Sequence, residues 1–102
     1  KQVKNVVIEE KLLQFIAKLT HQTRNHKSIY LGGSPRASLE IMNASKAMAA
    51  INGRDFVTPE DILDVVPPVL RHRIILSPDK EMEGVTEDTV IKQIIQSMDI
   101  PR

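Results

Sequence analysis

Arg36 is the residue whose position in this sequence asks for a chemical explanation. It stands in the stretch Leu31-Gly32-Gly33-Ser34-Pro35-Arg36-Ala37. Ser34 is a strong helix N-cap and Pro35 suits the first helical position, so a helix starts here. Arg36 then falls in the first turn, where the macrodipole disfavours a cation and welcomes a carboxylate. An anion would reconcile the two. Free N–H groups at a helix start donate to phosphate-like anions, and a guanidinium beside them adds planar, bidentate donors. Ser34, Pro35 and Arg36 are therefore the candidate anion-binding residues, with Gly32 and Gly33 giving the loop freedom to swing the arginine toward a target. The alternative is a surface arginine whose stem simply lies over the bundle.

Other residues capable of chemistry do not assemble into a recognisable set. His21, His26 and His72 lack the spacing of a metal site, and none belongs to a zinc-protease-type cluster with acids, so no metal ligands are expected. Glu60, Asp61 and Asp64 could suggest paired carboxylates, yet the first two are explained by helix-start electrostatics. No glycine-rich loop ends in Lys-Ser/Thr, so this chain alone cannot cradle a nucleotide. It is not expected to be an enzyme by itself.

The elements that must carry Arg36 can be read from periodicity and punctuation. Val6, Val7 and Ile8 form an extended docking segment. Ile8, Leu12, Phe15, Ile16 and Leu19 then keep the spacing of one helical face, which predicts a helix over 9–24. Residues 25–30 follow neither period and are expected to be a loop. A second helix runs from Pro35 to about Asn52 and is closed by Gly53. Its many alanines allow close approach on more than one side and predict a central position, with Leu39, Ile41, Met42, Met48 and Ile51 as the larger packing groups.

The same start grammar recurs downstream. Thr58 caps, Pro59 takes the first helical position, and Val57 can staple onto Ile62. This third helix is expected to end near Val65, broken by Pro67-Pro68, with a new turn beginning at Pro68. Ser77-Pro78 starts a single turn that Gly84 stops. Thr86 caps the last helix, whose apolar stripe is Val90, Ile91, Ile94, Ile95 and Met98. The predicted fold is all-α: one domain over 1–102, a small bundle of about four main helices.

Composition agrees with this and excludes several classes. The 102 residues are 41% hydrophobic but only 3% aromatic, so the core is aliphatic. Cysteine is absent, which rules out disulfides and cysteine-ligated metals. No apolar run approaches the ~20 residues of a membrane span and no signal-peptide pattern opens the chain, so a cytoplasmic location is expected. The start at Lys1 without methionine is expected of a piece of a longer protein. Residues 1–30 carry a net +4 and residues 31–102 a net −3. That asymmetry is too weak for a dedicated nucleic-acid surface.

Four separated motifs together resemble a known family. Leu31 to Ala37 is the first, and Gly53-Arg54-Asp55-Phe56-Val57-Thr58-Pro59-Glu60-Asp61-Ile62 the second. The third is Val66-Pro67-Pro68-Val69-Leu70-Arg71-His72-Arg73-Ile74, followed by Leu76-Ser77-Pro78 with Glu83-Gly84. In this order they are similar to the C-terminal helical lid of MoxR-family AAA+ ATPases, over nearly the whole chain. Gly33 departs from the alanine usual in the family.

The resemblance implies that Arg36 is the sensor-2 arginine, reaching from the lid to the γ-phosphate of ATP bound on the core domain. It also implies ATP and Mg²⁺ as cofactors of the parent protein rather than tight ligands of this chain. Further implications are a hexameric ring, chaperone-like remodelling, contacts with the core domain and neighbouring subunits, and partners containing von Willebrand factor A domains. Two other readings remain open: a DNA-binding or histone-like helical module, and a plain protein-interaction bundle in which Arg36 has no special role.

Overall fold

The computed structural model describes residues 5–31 and 35–101. The expected cap at Ser34 and the glycine pair Gly32-Gly33 lie outside the described residues. Within them the chain is a helical bundle with a small antiparallel ribbon. None of these helices is long and apolar enough to cross a membrane.

Helix α1, Glu10–Arg24, begins at an extended Glu9 and buries Leu12, Phe15, Ile16 and Leu19, as the spacing predicts. Thr20 and Thr23 are buried beside them. Both hydroxyls are satisfied within the helix: Thr20 Oγ1 donates to the Ile16 carbonyl at 3.0 Å and Thr23 Oγ1 to the Thr20 carbonyl at 2.6 Å. The extended segment before α1 also forms. Val7 makes a parallel bridge with Phe56, its N–H donating to the Asp55 carbonyl while Val57 N–H donates to its own, and Val6 and Val57 turn into the core.

Helix α2, Pro35–Ile51, lies between α1 and a third helix, α3, Pro59–Leu70. Its buried stripe is Ala37, Ile41, Ser45 and Ala49, one residue per turn, and three of the four are small. That is what permits the central position. Leu39 and Ile51, expected as packing groups, are instead 53% and 79% exposed. Each lies two residues beyond a buried position, about 200° around the helix, and so faces away from the stripe. At the helix end Gly53 takes φ +77°. Its N–H donates to the Ala50 carbonyl and that of Arg54 to the Ala49 carbonyl, the paired bonds of a Schellman ending.

Helix α3 corrects the expected break. It starts as predicted, with Thr58 Oγ1 accepting from Asp61 N–H while the Asp61 carboxylate accepts from Thr58 N–H, but it runs straight through Pro67 and Pro68 to Leu70. The prolines fall in the last turns, so only the bonds to the Leu63 and Asp64 carbonyls are forgone. Pro68 is exposed and Pro67 half-buried, whereas Val65, Val66 and Leu70 are all in the core. Burying three such side chains contributes about 1.5–3 kcal/mol each, enough to hold the helical course against the proline penalty.

A second correction concerns residues 25–30, expected to be a loop. Ile29–Leu31 is a strand, β1, pairing antiparallel with β2, Ile75–Leu76, in the register Ile29 with Leu76 and Leu31 with Ile75. Ser77 N–H donating to the Ser28 carbonyl extends the ribbon. Ile29 and Leu76 face the core, while Tyr30 and Ile75 face outward.

Helix α4, Pro78–Met82, is the expected short turn, although Ser77 caps it by position only and its side chain makes no capping bond. Gly84, at φ +82°, ends this segment. Helix α5, Glu87–Gln96, starts at Thr86, whose hydroxyl accepts from Thr89 N–H, and buries Val90, Ile91 and Ile94 against α1 and α3.

Candidate functional site

Arg36 lies in the first turn of α2, exposed, as is Pro35 beside it. That turn contains no acidic residue, and among the described residues no carboxylate pairs with Arg36. The backbone that carries it is nonetheless held from several directions. Ala37 and Ile41 are fully buried. Ser38 Oγ donates to Thr20 Oγ1 at 2.7 Å, and Thr20 in turn donates to the Ile16 carbonyl, so a chain of hydroxyls fastens the start of α2 to the end of α1. Glu40 accepts from Arg73 Nε at 3.2 Å and from its Nη2, which ties the second turn of α2 to the link between α3 and β2. An exposed guanidinium on a fixed turn can present planar donors to an anion held outside this chain.

The other candidates resolve into ordinary structural roles. The side chain of His21 lies by Asn25, with Nε2 3.2 Å from Nδ2. His26 Nδ1 accepts from Ser28 N–H at 3.0 Å, and His72 is exposed. No group of three His, Asp or Glu capable of holding a metal occurs among the described residues. Glu60, Asp61 and Asp64 do not form a carboxylate pair, because Asp61 is buried and engaged elsewhere while Asp64 points outward.

That engagement is a feature the sequence reading missed. Arg54 donates to both oxygens of Asp61, at 2.6 and 2.8 Å, and also to the Phe56 carbonyl at 3.2 Å, with its guanidinium 5.8 Å from the Phe56 ring centre. The bond from Arg54 holds the Asp61 carboxyl below its ordinary range against the opposing effect of burial, and the Thr58 N–H adds to it. The same bond raises Arg54. Only Asp61, three residues after a capping Thr58, was a usable signal; nothing in the sequence named Arg54 as its partner. Glu40 and Arg73, 33 residues apart, had no signal at all.

A cleft of about 270 Å³ opens between α1 and the segment after α5, lined by Lys11, Gln14, Phe15, Lys18, Asp99, Ile100 and Pro101. It shares no residue with the Arg36 turn.

Comparison with known proteins gives a consistent picture. A family model described as an AAA lid domain matches residues 21–94. The uncharacterised protein YeaC of Bacillus subtilis is 34% identical over 101 residues, covering 99% of this chain and 32% of that protein. Chaperone MoxR1 of Mycobacterium tuberculosis is 31% identical over 107 residues, covering 96% and 28%. A crystallised candidate ATPase from Cytophaga hutchinsonii superposes with a TM-score of 0.92 at 35% identity, covering 98% of this chain and 33% of that one. The chain thus spans about a third of the length of these relatives.

Proposed function

This chain belongs to the AAA lid domain family, and on that premise we propose that it is the C-terminal lid of a MoxR-type AAA+ ATPase. In this reading Arg36 is the sensor-2 arginine: it reaches the γ-phosphate of ATP held on the core domain and couples nucleotide state to movement of the lid. In the same reading Pro35 and Ser34 belong to the phosphate site beside it. ATP and Mg²⁺ belong to the whole protein. The described residues of this chain offer the phosphate a guanidinium but offer a metal no cluster of ligands.

The observation that carries the reading is the arginine itself, exposed in a helix start that disfavours it, without a carboxylate among the described residues, on a turn fastened through Ser38 and Glu40. Phosphoryl transfer is catalysed largely by positioning and by stabilising charge on the phosphoryl oxygens, where a well-placed arginine is worth ~10³–10⁵ in rate. Because Arg36 rides on a turn tied to α1 and to the α3–β2 link, movement of the lid as a body would carry it to or from the phosphate. The parent would then be a cytoplasmic, ring-forming, chaperone-like ATPase, its lid meeting its own core and neighbouring subunits in a hexamer, with von Willebrand factor A-domain proteins as partners.

Steady-state hydrolysis by the full-length protein tests this. Arg36→Ala should lower kcat strongly, and Arg36→Lys should restore only part, since a point ammonium cannot reproduce the planar fork. Unchanged turnover in Arg36→Ala would remove the arginine from the phosphate. Robust hydrolysis by the 102-residue chain alone would overturn the lid reading.

A further inference from the structure

We propose that Arg73 is a positioning residue for Arg36, acting by keeping the Glu40 carboxylate away from it. The inference rests on the lid reading above. Glu40 follows Arg36 by four residues on α2, so the two lie on one face, about one turn apart. A carboxylate and a guanidinium at that spacing pair readily along a helix. Yet Arg36 has no such partner, because both oxygens of Glu40 are taken by Arg73, through Nε at 3.2 Å and through Nη2.

The competition is set by geometry. Arg73 comes from outside the helix, and its planar fork matches both carboxylate oxygens at once. Its own location is fixed: its N–H donates to the Leu70 carbonyl at 2.8 Å, and the chain continues two residues later into β2. Pairing of β2 with β1 holds the link that bears Arg73 beside the strand leading toward α2. Glu40 is therefore occupied from a rigid base, and Arg36 is left available for an anion beyond the domain. Without Arg73, Glu40 would become an internal mimic of the phosphate, occupying the arginine between turnovers. Both members are about one-third exposed, at 34% and 37%, so the pair contributes little to folding and its effect is directed at Arg36.

The test is steady-state ATP hydrolysis by the full-length protein at low ionic strength. Arg73→Ala should lower kcat by up to about twofold, the population shift an i,i+4 ion pair commands. Adding Glu40→Ala to Arg73→Ala should recover most of the lost rate, because the competing carboxylate is gone while the Ser38–Thr20 hydroxyl bond still fastens the turn. Raising the salt should also erase the deficit of Arg73→Ala. Arg73→Lys, which keeps an ion pair to Glu40, should retain most of the rate. A double variant as slow as Arg73→Ala would make the arginine merely structural and overturn the proposal, as would full activity in Arg73→Ala itself. The two readings fail separately: normal hydrolysis in Arg36→Ala sinks the assignment of Arg36 to the phosphate, whereas a deficit there without rescue in the double variant sinks only the role of Arg73.

Discussion

Two arginines bracket α2, and they live in opposite circumstances. Arg54 follows the C-terminal end, where the helix dipole favours a cation, and its fork is filled by the buried Asp61. Arg36 stands at the N-terminal end, where the dipole opposes it, and no carboxylate among the described residues answers it. The first is explained by the fold around it. Arg54 closes the turn between α2 and α3, reaches the Phe56 carbonyl, and so supports the bridge through which Val7 joins the bundle. The fold gains nothing comparable from the second. An arginine whose fork is answered inside the domain belongs to the fold, and one placed against its dipole needs a reason that the fold around it does not supply.

The largest effect on stability should come from breaking the answered arginine. Asp61→Ala removes the acceptor of two bonds from Arg54 and of the Thr58 N–H in one step, and leaves Arg54 without its partner. Chemical denaturation of the chain should show a loss of about 2–3 kcal/mol, at or below the lower end of the range for buried pairs because Arg54 is partly solvated. The same site sets an acid sensitivity. Asp61 has its carboxyl lowered by the bond from Arg54, so its ionised form is favoured in the folded chain. Its stabilisation is complete above the unfolded carboxylate value near 3.9 and is lost as pH falls through the lower folded value. Asp61→Asn should flatten that acid limb of the stability profile, and an unchanged limb would show that other carboxylates dominate it.

A smaller change sharpens the same comparison from the other side of the pair. Thr58→Ala deletes only the hydroxyl that accepts from Asp61 N–H at 3.3 Å, leaving Arg54 and the Asp61 carboxylate in place. The expected loss in denaturation is about 1 kcal/mol, the usual worth of a cap. A loss as large as that of Asp61→Ala would mean that the hydroxyl, and not the arginine, organises the start of α3.

Which parts of this architecture could be read in the sequence follows from the range of the forces involved. Helix starts at Thr58 and Thr86, the left-handed ends at Gly53 and Gly84, and the apolar faces of α1 and α5 are local, and each had a local sign. The position of Arg36 in a helix start was legible for the same reason: its oddity lies in one turn. The course of α3 through Pro67-Pro68 was not, because local preference is overruled there by the burial of Val66 and Leu70 against distant helices. The β1–β2 ribbon, three residues against two, is too short to display alternation. Leu39 and Ile51 misled because an alanine-rich helix has no single apolar face, and only packing decided that the stripe of small residues would be the buried one. Arg54 with Asp61 and Arg73 with Glu40 depend on the fold bringing separate segments together, which no spacing announces.

The smallest expected effect is the most discriminating. Arg36→Ala should leave the unfolding midpoint of this chain where it was, or raise it slightly. Nothing on the described surface would lose a partner, since Arg36 engages no carboxylate there, and the side chain is already exposed, so little packing is forfeited. What changes is the helix start: a cation leaves the positive end of the dipole and alanine, the best helix former, takes its place. Both changes favour the folded state. The comparison with Asp61→Ala therefore separates two uses of arginine in one domain, because the variant that most damages folding and the one proposed to damage hydrolysis should be different molecules. If Arg36→Ala unfolded the chain as readily as Asp61→Ala, the arginine at the start of α2 would be holding the bundle together, and the contrast drawn between the two ends of the helix would collapse.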